Sequence, residues 1–280
     1  MENSIGFIGA GNMAGAIIGG ILRAKICLPE QVWASAPSMK HLSALQEKYQ
    51  IHVTTDNREA AAQADILVLA VKPYLIESVI EQIKGQIRPG AIVVSIAAGV
   101  TLAQMDEGFD APVHLVRVMP NTPCMVGEGM SAIFPGRWIT PEETEEIRAI
   151  FSALGRAEVL EERLIDVVGA VSGSSPAYVY LFVEAMADAA VKGGMPRAQA
   201  YRFAAQAVLG SAKMVLETGL HPGVLKDMVC SPGGTTIEAI EVLEQKGMRG
   251  AVFAAMDACI EKSVRMSGKQ ENAGTLLSSK

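Results

Sequence analysis

Gly9-Ala10-Gly11-Asn12-Met13-Ala14 follows the apolar run that ends at Ile8 and opens a helical stretch. At that position a Gly-x-Gly-x-x-Gly/Ala turn brings backbone N–H groups against a pyrophosphate. Gly9 permits the tight turn, Gly11 lets a phosphate reach the backbone, and Ala14 with Gly15 keeps the helix close to the strand. Ile8 to Met13 are therefore candidate dinucleotide contacts. The end of the next strand decides which dinucleotide: where an acid would bind the ribose of NAD, the chain reads Ala34-Ser35-Ala36-Pro37-Ser38-Met39-Lys40. No carboxylate repels a 2′-phosphate there; Ser35 and Ser38 can donate to it and Lys40 can neutralise it. NADPH is expected, with NADH as the alternative.

Three further loops carry small or polar residues where a flat cofactor would lie. Ala70-Val71-Lys72-Pro73 and Ile96-Ala97-Ala98-Gly99 leave the carboxyl ends of strands, the ligand edge of such folds. Lys72 either reaches a phosphate or ribose oxygen or is a solvated loop lysine. Met119-Pro120-Asn121-Thr122-Pro123 is a proline-braced loop that either sits near a nicotinamide or is a bare turn. Further on, Ser231-Pro232-Gly233-Gly234-Thr235-Thr236 precedes a helix, with Thr235 or Thr236 as its cap. This is either an ordinary capped start or an anion site for a substrate carboxylate. His41, His52, His114 and His221 show no metal-ligand spacing, so no metal is expected.

The elements that must position these residues fall into two halves. Ile5–Ile8, Val32–Ala34, Ile51–Val53, Ile66–Val71, Ala91–Ser95 and Val113–Val118 read as strands alternating with helices, which means a parallel sheet. Continuous apolar runs such as Ile66 to Val71 imply helices on both faces, hence a doubly wound α/β domain of Rossmann type over residues 1–163. Thr140-Pro141-Glu142-Glu143 opens a capped helix running towards Leu154-Gly155. Beyond it, Pro176–Val191, Pro196–Thr218, Thr235–Gln245 and Met248–Met266 read as helices of an all-helical domain over 164–270, followed by a loosely attached tail, 271–280. The helix from Pro176 is apolar nearly all round, with Glu184 and Asp188 its polar pair, and must be buried. A domain of roughly a hundred residues cannot bury it unaided, so a helical subunit interface is expected.

Composition narrows the class. Half of the 280 residues are hydrophobic and 19% are charged, which excludes a disordered chain. A net charge of -6 offers no field to gather nucleic acid. Four scattered cysteines without a Cys-x-x-Cys pair fit a reducing cytoplasm. The chain enters its first strand too early for a secretory leader, and no uninterrupted apolar run reaches spanning length, so no membrane association is expected.

With those residues placed, the chain resembles pyrroline-5-carboxylate reductase over about residues 4–270. The specific segments are Val171-Ser172-Gly173-Ser174-Ser175-Pro176-Ala177-Tyr178 and Asp227-Met228-Val229-Cys230-Ser231-Pro232-Gly233-Gly234-Thr235-Thr236-Ile237-Glu238-Ala239. The resemblance implies NAD(P)H-dependent reduction of a cyclic imine to L-proline, the last step of proline biosynthesis. It also implies cofactor contacts at Ser35, Asn57, Ala70 to Pro73, Ala97 and Ala98. Glu162, Thr235 and Thr236 would surround the substrate, with Thr236 the candidate donor to the ring nitrogen. Dimers through the helical domain, sometimes assembled into decamers, are further implications. The sequence departs from the family at Met228, where some relatives carry asparagine, and at Ser175, which replaces a glycine. Two other readings are weighed. A 3-hydroxyacid dehydrogenase would need a catalytic lysine in the helix from Pro176 to Val191, which has none; Lys192 at its end is explained by the helix dipole. A non-catalytic NADP(H) sensor would have no use for the Ser231–Thr236 segment.

Overall fold

The computed structural model describes residues 3–266. The described chain forms two compact units, residues 3–173 rejoined by 260–266, and Ser174–Cys259. The first unit runs β1 (Ile5–Ile8), α1 (Asn12–Arg23), β2 (Val32–Ser35), α2 (Met39–Tyr49), β3 (His52–Thr54), α3 (Asn57–Gln63), β4 (Ile66–Leu69), α4 (Ile76–Ile83), β5 (Ile92–Ser95), α5 (Leu102–Asp106) and β6 (His114–Met119). It continues with β7 (Gly129–Pro135), α6 (Pro141–Ser152), β8 (Gly155–Val159) and α7 (Ile165–Val168). One sheet of order β3-β2-β1-β4-β5-β6-β7-β8 results.

Its strands feed two cores. Ile66 and Val68 of β4 pack with Ile17, Ile18 and Phe151 on one face, while Leu67 and Leu69 pack with Ile76, Ile80 and Ile83 on the other. This is the physical content of a continuous apolar run: successive side chains point to opposite faces and both are covered. Each fully buried Ile or Leu contributes about 1.5–3 kcal/mol of transfer free energy. Gly6 sets the spacing on the second face, because a Cβ there would lie 2.8 Å from Ala64 Cβ of the segment that follows α3.

The expected strands form, each displaced by at most a residue or two at its ends. The purely parallel sheet does not. β7 pairs antiparallel with β6, and β8 pairs parallel with β7, so both run against the first six strands. Neither was visible in the sequence, because Gly-Arg-Ala-Glu-Val and Gly-Met-Ser-Ala-Ile-Phe-Pro lack a β-branched run. Their pairing depends on bare backbone: Gly155 has φ +142, and a Cβ on it would lie 2.1 Å from the Gly129 carbonyl oxygen. The first unit ends at Gly173, later than the expected boundary at residue 163, because the chain after β8 packs back onto it. Ile165 joins Ala132 and Phe134 in a third core cluster. The 271–280 tail lies outside the described residues.

The second unit contains α8 (Ser175–Lys192), α9 (Arg197–Thr218), α10 (Pro222–Val229), α11 (Thr235–Gln245) and most of α12 (Met248–Met266). The short α10 was not expected from the sequence. α8 and α9 pack against each other. The burial expected for α8 is not met within one chain. Only Ala187 is buried, and Leu181 is 68% exposed, as is Phe203 on α9, while Phe253 on α12 is 72% exposed. The run Glu162–Lys192 is also long and apolar enough to cross a membrane, by length and composition alone. It is not an uninterrupted apolar run, since Asp166, Ser172, Ser174, Ser175, Glu184 and Asp188 lie within it. An apolar face of this extent calls for a partner surface. Leu181→Glu should therefore shift the protein from oligomer to monomer, read as halved or smaller mass by light scattering, while its helical circular dichroism is kept.

Candidate active site

At the carboxyl edge of β1, β4, β5 and β6 lies a cavity of about 600 Å³, within the range that holds cofactors. Gly9, Gly11, Asn12 and Met13 form one wall, Ala70 to Pro73 a second, and Ala97 and Ala98 a third. Gly9 must be glycine on two counts. Its φ is +105, and a Cβ would lie 2.4 Å from the carbonyl oxygen of Ala70. A Cβ on Gly11, by contrast, would meet nothing within 4 Å, so that residue faces open space. α1 begins at Asn12 with Gly11 as its N-cap and no side chain capping it. Its first-turn N–H groups are thus left for a ligand, and the helix dipole favours an anion there. Gly15 contributes less than expected to close packing, since a Cβ there would sit 3.5 Å from Leu45, an ordinary contact. Ala14, at 1% exposure, is the residue that seats the helix.

Several expected contacts do not line this cavity. Ile8 is core, packed on the second face of the sheet. Ala10 and Lys40 line a separate groove between α1 and α2. Ser35 is buried; its hydroxyl donates to Asn57 Oδ1 at 2.8 Å, and Asn57 Nδ2 donates to Gln82 Oε1 at 2.9 Å, a polar relay from β2 to α4. Ser38 is exposed at the N-cap of α2, with no cap bond from its side chain. Asn121 is 8% exposed and committed internally: Nδ2 donates to the Ser172 carbonyl at 3.0 Å and Oδ1 accepts from Met130 N–H at 2.9 Å. It braces the loop after β6 against the π-helical turn Gly169–Ser174. Met119 and Pro120 from that loop, and Ile165, complete the cavity. Ile165 left no signal in the sequence, because it follows the unforeseen β8.

Glu162 is likewise engaged elsewhere. Its Oε1 accepts from Arg117 Nη1 at 2.9 Å and from Leu102 N–H at 2.9 Å. Arg117 is 3% exposed, and burial pushes its guanidinium below the ordinary arginine value, opposed by Glu162 and Asp166. Glu162 lines a cavity of about 300 Å³ with Val113 and Trp138, separate from the cofactor cavity. Among the described residues no cluster of His, Cys, Asp and Glu could hold a metal.

In the second unit, Gly233 has φ +66, and Gly234 is the N-cap of α11. The expected threonine cap is absent: Thr235 and Thr236 are the first helical residues and no side chain caps the helix. The turn is closed instead by Gly234 N–H donating to the Ser231 carbonyl at 3.0 Å. The N–H groups of the first turn of α11 are therefore as bare as those of α1.

The comparisons with known proteins agree with this geometry. Residues 162–266 match the family described as pyrroline-5-carboxylate reductase dimerisation, and residues 4–99 match NADP oxidoreductase coenzyme F420-dependent. The chain is 54% identical to the pyrroline-5-carboxylate reductase of Escherichia coli over 267 residues, covering 95% of this chain and 99% of that one. The chain belongs to the pyrroline-5-carboxylate reductase family. Among solved structures, the reductase of Coxiella burnetii is similar at 35% identity and a TM-score of 0.90, covering 95% of this chain and 99% of that one. A Plasmodium falciparum pyrroline carboxylate reductase with NADP bound is similar at 33% identity and a TM-score of 0.85, covering 95% and 98%. As a member of this reductase family the chain is an NAD(P)H-dependent oxidoreductase with a helical dimerisation domain, which accounts for the apolar face of α8.

Two outcomes follow. Gly9→Ala should raise the KM for NADPH by more than about tenfold, since a Cβ there must displace the Ala70 backbone; coenzyme titration by fluorescence measures it. Glu162→Gln should destabilise the fold by about 3 kcal/mol in denaturant melts, because it leaves the buried Arg117 charge unpaired, whereas Arg117→Met with Glu162→Leu should recover most of the loss.

Proposed function

We propose that the chain reduces the C=N bond of L-1-pyrroline-5-carboxylate to L-proline with NADPH, and that Gly233, Gly234, Thr235 and Thr236 hold the substrate. The bare N-terminus of α11 carries this reading: it offers uncommitted N–H donors and a helix dipole to a carboxylate. Reduction adds a hydride to the ring carbon and leaves a proton on nitrogen. When bound, the nicotinamide supplies the hydride. The protein's work is then to orient and polarise. Thr236 is half-buried, and its hydroxyl makes no hydrogen bond within the described residues, so it can donate to the ring nitrogen. A cyclic imine is basic enough to arrive largely protonated near neutral pH, so no histidine is needed as acid.

In the same proposal the cofactor's pyrophosphate lies on Gly9 to Met13, and Ala70 to Pro73, Ala97 and Ala98 support the rest of it. Lys72 lines the cavity and neutralises a phosphate there. The Ser35–Asn57 pair shapes the 2′-phosphate end from below, with Ser38 and Lys40 at its rim. Asn121 acts through the loop it braces. The assembly is a homodimer through the helical unit, gathered further into a decamer, and the location is cytoplasmic. Free thiols at Cys27, Cys124, Cys230 and Cys259 support a reducing compartment.

The test is NADPH oxidation, followed by absorbance, with pyrroline-5-carboxylate supplied and 3-hydroxyacids with NADP⁺ run alongside. Imine-dependent oxidation yielding proline is expected. Thr236→Ala should lower kcat/KM for the imine by about 10- to 100-fold with NADPH binding intact. Unchanged kinetics in that variant would remove Thr236 from the mechanism.

A further inference from the structure

Arg117 and Glu162 form an ion pair that lines no part of the cofactor cavity and yet ties together segments that do. Glu162 opens the short helical turn Glu162–Leu164, which runs directly into Ile165, a cavity residue. Its Oε1 accepts from Leu102 N–H at 2.9 Å, and Leu102 opens α5 four residues after Ala98, another cavity residue. Arg117, which donates to the same Oε1, stands on β6 two residues before Met119, a third. One carboxylate oxygen thus joins the segments that bring Ala97 with Ala98, Met119 with Pro120, and Ile165 to the cavity. Immediately after Ile165, Asp166 Oδ1 accepts from Ser263 Oγ at 2.6 Å, so Ile165 is held from both flanks.

The pair is ill suited to a purely stabilising role. Arg117 is buried and its Nε has no hydrogen-bond partner among the described residues, so a desolvated charge is left one bond short. Against apolar residues of similar volume, a buried pair of this kind is often no more stable. Nor does α5 need Glu162 in order to start. Thr101 and Gln104 already close a capping box, with Gln104 N–H donating to Thr101 Oγ1 and Thr101 N–H to Gln104 Oε1. What the Glu162–Leu102 bond fixes is where α5 and the loop before it lie.

We infer that Glu162 is a positioning residue for the nicotinamide half of the coenzyme, holding the walls made by Ala97, Ala98, Met119, Pro120 and Ile165 at the spacing a ring requires, from outside the cavity. The strands behind those walls, β5 and β6, lie on the other side of β1 from β2, whose end carries the Ser35–Asn57 pair. A broken clasp therefore weakens the coenzyme at one end only. The inference rests on the cofactor placement given above, and binding alone tests it, without turnover.

The test compares NADPH with adenosine 2′,5′-bisphosphate, which carries the 2′-phosphate end alone, by fluorescence and calorimetric titration of the full chain. Arg117→Met with Glu162→Leu keeps stability but removes the acceptor for Leu102; it should weaken NADPH by about fivefold or more and leave the bisphosphate unchanged. Glu162→Gln is less stable but keeps an acceptor oxygen, and should bind NADPH within about twofold of the parent. Affinity that follows stability instead, with the order of the two variants reversed, overturns the proposal. So does a double variant that holds NADPH as tightly as the parent or loses both ligands equally. Should either variant not fold, Leu102→Pro measured against Leu102→Ala decides. Proline is accommodated at the first helical position and removes the N–H, whereas alanine keeps it, so only the proline variant should weaken NADPH; equal affinities overturn the proposal. Gly9→Ala run alongside separates the two readings: NADPH lost there but kept in the double variant sinks the clasp alone, whereas NADPH kept in both moves the coenzyme out of this cavity.

Discussion

The first turn of α1 presents backbone N–H groups that nothing in the described chain satisfies, and much of the first unit is arranged around leaving them so. Gly9 turns the chain with φ +105 at a distance from Ala70 that no side chain permits, which aims the helix start into the cavity. Ala14 and the isoleucines of α1 then fix the helix on the sheet, so the donors are held in place before any ligand arrives. Preorganised donors gain binding energy because little ordering entropy remains to be lost. The same device recurs at α11, where a positive-φ glycine and an uncapped first turn face solvent.

How much of this was legible in the sequence depends on range. The glycine turn, the strand ends and the helix at Thr235 were readable because each is decided by a few neighbouring residues. The fates of Ser35, Asn121 and Glu162 were not, because their partners lie far off in sequence. Asn57 is 22 residues from Ser35, Ser172 is 51 from Asn121, and Arg117 is 45 from Glu162. A polar residue in a promising loop looks the same whether it will face a ligand or brace a neighbouring turn. β7 and β8 were hidden for a different reason: their stability comes from close backbone approach at Gly129 and Gly155, which hydrophobic patterning does not record.

The apolar surface of α8 shows the opposite case, where sequence and single-chain structure disagree and both are informative. The pattern demands burial; one chain does not provide it. The difference is met by the dimerisation domain to which the segment belongs. A helix that would qualify as membrane-spanning by hydropathy is thereby explained by a protein partner, and the charged residues of α8, Glu184, Asp188 and the terminal Lys192, are a small hydrophilic allowance for a surface helix.

The reversed pair β7–β8 has one more effect. Without it β6 would be the edge strand of the sheet, free along one side to fray. With β7 bonded to it from Val116 to Met119, β6 is hydrogen-bonded on both sides. The wall formed by Met119 and Pro120 thus follows a strand that β5 holds through Arg117 and β7 holds through Met119, which opposes fraying at that end. The side of the cavity beside Met119 is thereby as firmly based as the Ala70 side, which leaves a strand paired with β1 and β5.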